Sequence, residues 1–261
     1  MQKGRTFHRE HVYVTGDYLD GDIYPVFQPA GKRRRRCKAS SRVQAALNQK
    51  NAEKKLTRLA HANFTDSDLA LHLTYGSGRE PESIDDAERL LGNFIKRLRR
   101  RYKKAGLTLK YIRATERGSK NGRIHHHLLI SGGIDRDEIE KLWGLGYANS
   151  QRLQFDAESG ITGLSHYMAK ERQTYRRWSG SRNLTIPEPY EQDGRLSRDD
   201  MQELAEEIED GTAWRSFEAL YPDFRLTEAT VERNVINQGI YIRFSMRRRF
   251  PWEYRTEARR E

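Results

Sequence analysis

The chain has 261 residues, of which 36% are hydrophobic and 33% are charged, and its formal net charge is +11. This length allows one medium-sized domain with appendages, or two small ones. The positive charge favours a polyanionic partner, because Lys and Arg side chains near phosphates release condensed counterions; a basic surface alone does not separate nucleic acid binding from simple solvation.

Several classes of protein are excluded by what the sequence lacks. The single cysteine, Cys37, allows neither an intrachain disulfide nor a cysteine-based zinc module, which fits a reducing cytosol. Neither an apolar run of roughly 20 residues nor an apolar signal core at the N-terminus is present, so we expect a cytoplasmic protein with no membrane partner. The absence of a GxxxxGK[ST] phosphate loop predicts no ATPase activity.

The N-terminal segment is predicted to be a basic arm. Aromatic and β-branched residues around Gly16 and Gly21 indicate a small hairpin over residues 11–27. Residues 32–38 are almost all cationic, and residues 40–60 suit a polar, basic helix. That helix is equally consistent with a solvated or disordered segment and with DNA contact. The candidate DNA-binding residues here are Arg33, Arg34, Arg35 and Arg36.

The middle of the chain has stronger periodicity. Residues 68–75 alternate leucines with other residues, as a half-buried strand does. Ser83 is predicted to cap a helix, with Asp86 at the capping-box position. This helix, residues 84–104, carries an apolar stripe of period 3.6 and an opposite face rich in Lys and Arg. We expect the basic face to contact DNA.

Further elements follow in the same region. Residues 107–116 and 123–131 are predicted to form a hairpin, because Asn121-Gly122 is a strong turn sequence. Additional predicted elements are a short helix capped by Asp135, a strand around 147–155 and a helix over 160–173.

After Pro187 the composition changes. Residues 188–232 are acidic and include a predicted helix at about 197–210, and a strand is predicted at 239–246. The acidic segment either packs against the basic arm or binds a host factor. We therefore predict an α+β fold: an antiparallel sheet of about five strands with packed helices, a basic arm and a C-terminal extension. The predicted segments are the arm at 1–67, a catalytic domain at 68–186 and the extension at 187–261.

The sequence His125-His126-His127 is the centre of the predicted site. Side chains alternate faces along a strand, so His125 and His127 point to one side while His126 packs on the apolar side. A two-residue turn places Glu116 opposite His127, and a turn one step longer places it opposite His125. Either register brings the Glu116 carboxylate to the face of the two imidazoles.

Two imidazoles and a carboxylate are suitable ligands for a divalent metal. This donor set suits Mg²⁺ or Mn²⁺, with Zn²⁺ able to compete, and leaves coordination positions for a phosphate oxygen. The alternative is that three adjacent histidines form a surface cluster of no chemical consequence. The strand context and the position of Glu116 favour the metal site.

Tyr167 and Lys170 lie on the predicted helix that follows. Ile161, Leu164 and Met168 form its buried stripe, and Tyr167 lies at the edge of that stripe. A tyrosine hydroxyl is a weak nucleophile at its ordinary pKa of about 10 and needs nearby positive charge. A helical YxxK sequence alone is commonplace and usually structural. It becomes informative because it follows an HxH strand in the same small domain.

In these residues the chain resembles the HUH endonucleases, the nickases of rolling-circle replication and conjugative transfer. The resemblance rests on residues 122–129 (GRIHHHLL), Glu116 and the sequence Tyr167-x-x-Lys170, and residues 71–75 (LHLTY) look like the family's mainly structural first motif. The chain is more narrowly similar to the replication initiators of bacterial plasmids, phages and integrative elements. In those proteins a basic N-terminal helix, a W-x-x-G sequence (here 143–146) and a loop like residues 181–184 recur. The resemblance covers most of residues 40–187.

The resemblance implies a role for each matching residue. His125, His127 and Glu116 would hold the metal, Tyr167 would attack the phosphate to leave a 5′-phosphotyrosine and a free 3′-OH, and Lys170 would orient the phosphate. The implied partners are single-stranded DNA at a replication origin, a host helicase and DNA polymerase, and a possible second copy of the chain. The predicted DNA-binding residues are Arg33, Arg34, Arg35, Arg36, Arg123 and Arg182.

Two features leave alternatives open. Only one tyrosine is well placed, since Tyr175 lies about 80° further around the helix, so completing a round would need a second subunit or a water-mediated step. Relaxases and transposases use the same chemistry, and an origin-binding repressor would share the fold without activity.

Overall fold

The computed structural model describes residues 6–27, 42–118, 122–169, 178–234 and 238–249. In these ranges the chain forms six helices and ten strands, and the strands make two antiparallel five-stranded sheets. The predicted α+β fold is confirmed, while the second sheet is an addition to it. In chain order the elements are β1 (Thr6–Thr15), β2 (Tyr18–Phe27), α1 (Arg42–Asn63), β3 (Leu69–Leu73), α2 (Ile84–Lys104), β4 (Tyr111–Arg117), β5 (Ile124–Ile130), α3 (Arg136–Trp143), β6 (Ala148–Arg152), α4 (Thr162–Ala169), β7 (Ser179–Gly180), β8 (Tyr190–Asp193), α5 (Arg198–Asp210), α6 (Trp214–Leu220), β9 (Phe224–Arg233) and β10 (Ile240–Arg248).

The elements divide into two compact units. The central unit comprises residues 41–156 and 160–186, and the discontinuous unit comprises residues 1–40, 157–159 and 187–261. This grouping differs from the predicted division at residues 67 and 186. Helix α1 lies in the central unit, and the N-terminal hairpin lies in the same unit as the C-terminal strands.

The sheet of the central unit has the strand order β6-β3-β5-β4-β7. On β3, Leu69, Leu71 and Leu73 are buried while the two residues between them are half-buried, as the alternation predicts. Helices α2 and α3 contribute to the hydrophobic core on the leucine face. Helices α1 and α4 contribute to a separate core on the opposite face, so the sheet is covered on both sides.

Helix α2 follows its sequence pattern closely. The Ser83 hydroxyl accepts a hydrogen bond from the Asp86 backbone N–H at 3.1 Å, which confirms the predicted cap. Acidic residues occupy the first turn and basic residues the last, an arrangement that the helix dipole stabilises. The predicted stripe is buried, including Leu91, Phe94 and Tyr102, and anchors α2 on the sheet.

The W-x-x-G sequence at residues 143–146 has a clear structural role. The Trp143 Nε1–H donates a hydrogen bond to the Thr74 carbonyl oxygen at 2.7 Å, and the Trp143 side chain is buried. Gly146 lies against the backbone just after β3, where an added Cβ would come 2.6 Å from the carbonyl carbon of Tyr75. The two residues therefore fix the start of β6 against the end of β3.

We expect Gly146→Ala to destabilise the central unit by about 1–3 kcal/mol, because the clashing atoms belong to the backbone and cannot move aside. The matched control is Gly92→Ala in α2, where an added Cβ meets nothing within 4 Å. That substitution should stabilise the unit by about 1 kcal/mol through helix propensity. Calorimetric melting temperatures of the two variants should therefore shift in opposite directions. Shifts of the same sign would contradict the described packing of Gly146.

The discontinuous unit contains the second sheet, with the strand order β8-β1-β2-β10-β9. Strands β1 and β2 form the predicted hairpin, with Gly16 in its turn at φ +62°. Gly21 lies within β2 and not in a turn, and an added Cβ there would come 2.6 Å from the Phe244 ring. The hairpin is longer than predicted and is held on both sides, by β8 and by β10.

The acidic segment contributes structure to this unit. Strand β8 pairs with β1, and α5 buries Met201, Leu204 and Ala205 in the same core as Phe217 of α6. The predicted helix is present, and a complete capping box between Ser197 and Asp200 begins it. None of the helices described in this structure is both long enough and apolar enough for a membrane span.

Candidate active site

The β4–β5 hairpin adopts the second of the two predicted registers. Glu116 pairs with His125, and Ala114 pairs with His127. The Gly118 N–H donates to the Arg123 carbonyl oxygen at 2.8 Å, so the connection is longer than a two-residue turn. In this register the Glu116 carboxylate lies on the same face of the sheet as both imidazoles, as either register predicts.

His125, His127 and Glu116 converge on the sheet face that α1 and α4 cover. Glu116 Oε1 lies 2.5 Å from His125 Nε2 and 3.4 Å from His127 Nε2. All three side chains are largely buried, with 12% to 18% of their surface exposed. The two rings meet edge to face, with centroids 5.2 Å apart.

A third histidine, His72 of β3, completes this group. Strand β3 is hydrogen-bonded to β5 with His72 opposite His127, and the two rings stack with centroids 4.8 Å apart. One ligand-capable atom from each of His72, His125 and His127 lies within 4.8 Å of the others. The family resemblance implies a mainly structural role for residues 71–75. The alternation along β3 is enough to predict that His72 points away from the leucine core. That His72 lies beside His127 depends on the pairing of β3 with β5, which the local sequence does not show.

The donor groups fit a divalent metal. His127 Nε2 is buried, and its 3.4 Å contact with Glu116 Oε1 is too poorly aligned for a hydrogen bond, so the nitrogen is available as a ligand. Burial lowers the pKa of His127 to about 4, and burial followed by the nearby His125 lowers the pKa of His72. Both rings are therefore neutral near pH 7, which is the form that coordinates metals. Three imidazole nitrogens shift the preference from Mg²⁺ towards Mn²⁺ or Zn²⁺.

Tyr167 of α4 reaches the same group. Its hydroxyl donates a hydrogen bond to Glu116 Oε1 at 2.8 Å, and its ring meets that of His127 edge to face at 4.9 Å. Met168 and Ala169, next to it, are buried, whereas 44% of the surface of Tyr167 is exposed. Although burial opposes it, the pKa of Glu116 is lowered by hydrogen bonds from Tyr167 and His125, which keeps the carboxylate charged.

An open cleft of about 540 Å³ leads to these residues. His72, His125 and Tyr167 line it, and Arg117 and Arg123 contribute positive charge. Arg123 is 59% exposed at its side chain and pairs with Glu80 at 3.3 Å. The predicted DNA-binding Arg123 thus lies in the cleft that contains Tyr167.

Other predicted site residues are not part of this cluster. Arg182 is exposed and lines a different cavity, beside Tyr111. Lys170, the alternative nucleophile Tyr175 and the four arginines of the arm lie outside the described residues: Arg33, Arg34, Arg35 and Arg36.

His126, the middle residue of the triplet, lies on the α2 face and is fully buried. Both of its ring nitrogens have partners: Tyr75 Oη is 2.7 Å from Nε2, and Thr115 Oγ1 is 2.8 Å from Nδ1. The Thr115 hydroxyl in turn donates to Glu88 of α2, so the His126 ring is neutral with its proton on Nδ1. Burial, with a contribution from Arg113, lowers the pKa of His126 to about 3. This chain of hydrogen bonds fixes the orientation of β5, and with it the directions of His125 and His127.

The comparison with known families bears on this cluster. Residues 68–172 match a family model described as a replication-associated protein of the ORF2 type. The matched range contains His72, Glu116, His125, His127 and Tyr167, and it connects this part of the chain with replication initiation. No curated protein and no solved structure gives a significant match to the chain.

Proposed function

We propose that this protein nicks and rejoins single-stranded DNA at a replication origin, with Tyr167 as the nucleophile, to start rolling-circle replication. The observation that carries the proposal is the position of the Tyr167 hydroxyl, 2.8 Å from Glu116 Oε1 beside the histidine cluster. The replication-associated family match over the same residues supports the choice of DNA as substrate.

The cluster supplies the metal ligands of this proposal. His125, His127 and Glu116 would hold the ion, with His72 as an additional nitrogen ligand. A bound Mn²⁺ or Mg²⁺ would polarise the scissile phosphate and stabilise the negative charge that develops on it. Glu116 also keeps the Tyr167 hydroxyl directed towards the cluster, which reduces the entropic cost of positioning the nucleophile.

The reaction is a transesterification. The Tyr167 oxygen loses its proton and bonds to phosphorus, the bond from phosphorus to the 3′-oxygen breaks, and the departing 3′-oxygen takes up a proton. The products are a 5′-phosphotyrosine and a free 3′-OH. Because the phosphodiester count is unchanged, a later 3′-OH can attack the phosphotyrosine and close a circle.

Positive charge holds the DNA in this proposal. Arg123 contacts the strand in the cleft, Lys170 orients the scissile phosphate, and the arginines of the arm and Arg182 contact DNA further away. A host helicase unwinds the duplex, since the sequence has no phosphate loop of an ATPase, and a host polymerase extends the free 3′-OH. A second copy of the chain would supply the tyrosine that ends the round.

The test uses labelled single-stranded oligonucleotides tiled across both strands of the DNA that flanks the gene. With Mn²⁺, one or more should form a denaturant-resistant adduct with the full-length protein, and chelation with EDTA should prevent it. His125→Ala or His127→Ala should abolish the adduct but leave salt-sensitive DNA binding intact. Equal loss of binding and adduct would argue that the histidines are structural. Binding without an adduct on any oligonucleotide would support an origin-binding repressor.

A further inference from the structure

A second cavity in the central unit lies apart from the histidine cluster. Its volume is about 610 Å³, within the range of about 300–1,000 Å³ that is typical of small-ligand sites. The segment leading into β4 and the loop after β7 form its walls, with Arg99 of α2 at its side.

The walls of this cavity are fixed by three hydrogen bonds, one between backbone groups and two between a side chain and the backbone. The Ser181 N–H donates to the Tyr111 carbonyl oxygen at 2.9 Å, and the Tyr111 N–H donates to Ser181 Oγ at 3.1 Å. The Asn183 amide donates to the Leu109 carbonyl oxygen at 3.2 Å. A cavity that is already formed binds a ligand without a large ordering cost.

The chemistry of the lining combines positive charge with an apolar floor. Leu107, Leu109 and Tyr111 provide apolar surface, while the guanidinium groups of Arg99 and Arg182 are the charged groups among the lining residues. Arg99 donates to the Tyr111 hydroxyl at 3.0 Å, and its guanidinium carbon lies 5.6 Å from the ring centre. These contacts hold the Arg99 charge over the cavity.

The active-site cleft has a different charge balance. It is lined by Glu80 and Glu82 as well as by Arg117 and Arg123. The second cavity has two cations and, among its lining residues in the described part of the chain, no carboxylate. The second cavity is therefore better suited than the cleft at Tyr167 to bind a phosphate that takes no part in the reaction.

We infer that this second cavity binds an unpaired nucleotide of the substrate strand, with the base on the apolar floor and the phosphate between Arg99 and Arg182. The inference rests on the proposed function only for the identity of the strand. A bare phosphate would need the two arginines but not the floor, whereas an unpaired nucleotide uses both. Duplex DNA presents its backbone and cannot insert a paired base into a cavity.

The distance to Tyr167 suits one continuous strand. Tyr111 and Glu116 lie five residues apart on β4, which corresponds to about 17 Å in an extended strand. At the duplex spacing of about 3.4 Å per nucleotide, DNA covers this distance in roughly five nucleotides, and an unstacked strand needs fewer. Tyr111 points to the opposite face from Glu116, so the DNA would pass over the β4–β7 edge of the sheet, and the separation along β4 sets the minimum number of nucleotides for this path.

The experiment measures binding, so that it does not depend on nicking. A Tyr167→Phe background in EDTA is titrated with single-stranded oligonucleotides of decreasing length and with the matching duplex. Arg99→Gln combined with Arg182→Gln should weaken binding of the long single strand about tenfold or more. It should also reduce the dependence of log affinity on log salt by roughly 0.7, as expected when one phosphate of a single strand loses its contacts. Binding of the shortest strands and of the duplex should change little.

Two further variants separate the possible explanations. Thr108→Phe fills the cavity at an exposed position without changing charge, and it should weaken binding of the long strand while leaving the salt dependence unchanged. Arg152→Gln removes an exposed positive charge from β6 on the other edge of the sheet and should have little effect. An effect of Arg152→Gln as large as that of the two cavity substitutions with no effect of Thr108→Phe, or equal loss on single strand and duplex, would overturn the inference in favour of a diffuse basic surface. A missing adduct in the nicking assay, with these binding results intact, would overturn only the proposed function.

Discussion

Tyr167→Phe should eliminate the covalent DNA adduct. The affinities for DNA and for Mn²⁺ should stay within about twofold of those of the parent protein, a difference that we would count as no change. The substitution removes one oxygen atom from a side chain that is 44% exposed. Its hydroxyl donates a hydrogen bond to Glu116, and one such bond contributes about 0.5–1.5 kcal/mol to stability, so the fold should tolerate the substitution. The reaction loses its nucleophile altogether, and denaturing gel electrophoresis of labelled oligonucleotide measures the result directly.

The matched control for this variant is Tyr147→Phe. Tyr147 lies in the same unit, is 65% exposed and has no place in the cluster, so the adduct should form at the parental rate. If Tyr167→Phe still formed an adduct, the nucleophile would be another residue. Peptide mapping of the linked nucleotide would then identify it, with Tyr175 as the first candidate.

His72→Ala should weaken Mn²⁺ binding by about 10–100-fold or more. Loss of a residue that only supports a metal ligand already lowers metal affinity by this factor, and His72 is itself a candidate ligand. The variant removes one of the three imidazoles whose nitrogens lie within 4.8 Å of one another. Titration calorimetry with Mn²⁺ alone measures this effect without DNA. The parent protein should bind Mn²⁺ more tightly than Mg²⁺, because imidazole nitrogen is a poor ligand for Mg²⁺.

His166→Ala provides the control for metal binding. His166 lies on α4 next to Tyr167, but its side chain is 63% exposed and pairs with Glu53 at 3.1 Å. Its removal should leave Mn²⁺ affinity unchanged. Unchanged affinity in His72→Ala together with a large loss in His127→Ala would restrict the ligands to the originally predicted His125, His127 and Glu116, and would leave His72 with a stacking role.

Local periodicity was sufficient to predict some elements from the sequence. Helix α2 has a capping serine, a regular stripe and a terminal Gly106, and each of these depends on neighbouring residues only. The two faces of β5 could be predicted for the same reason, because alternation separates His126 from His125 and His127 on any strand. Those predictions needed no knowledge of the rest of the fold.

Features that depend on partners far along the chain were not predictable in this way. The register of the β4–β5 hairpin depends on turn length, and so both pairings of Glu116 were open until the structure showed His125 opposite it. The part played by His72 requires that β3 lies beside β5. The second sheet was missed because β1 pairs with β8, and β2 with β10, across almost the whole chain.

This long-range pairing in the second sheet has a consequence for synthesis. The β1–β2 hairpin leaves the ribosome before the other strands of its sheet, and β10, which hydrogen-bonds to β2, is translated more than 200 residues later. Until then one long edge of the hairpin is unpaired, a state that favours aggregation and slow maturation. A nascent chain that stalls after residue 186 would contain every strand of the central sheet but an incomplete second sheet. Removal of β9 and β10 should therefore impair the solubility of the β1–β2 hairpin, although the two segments lie far apart in sequence.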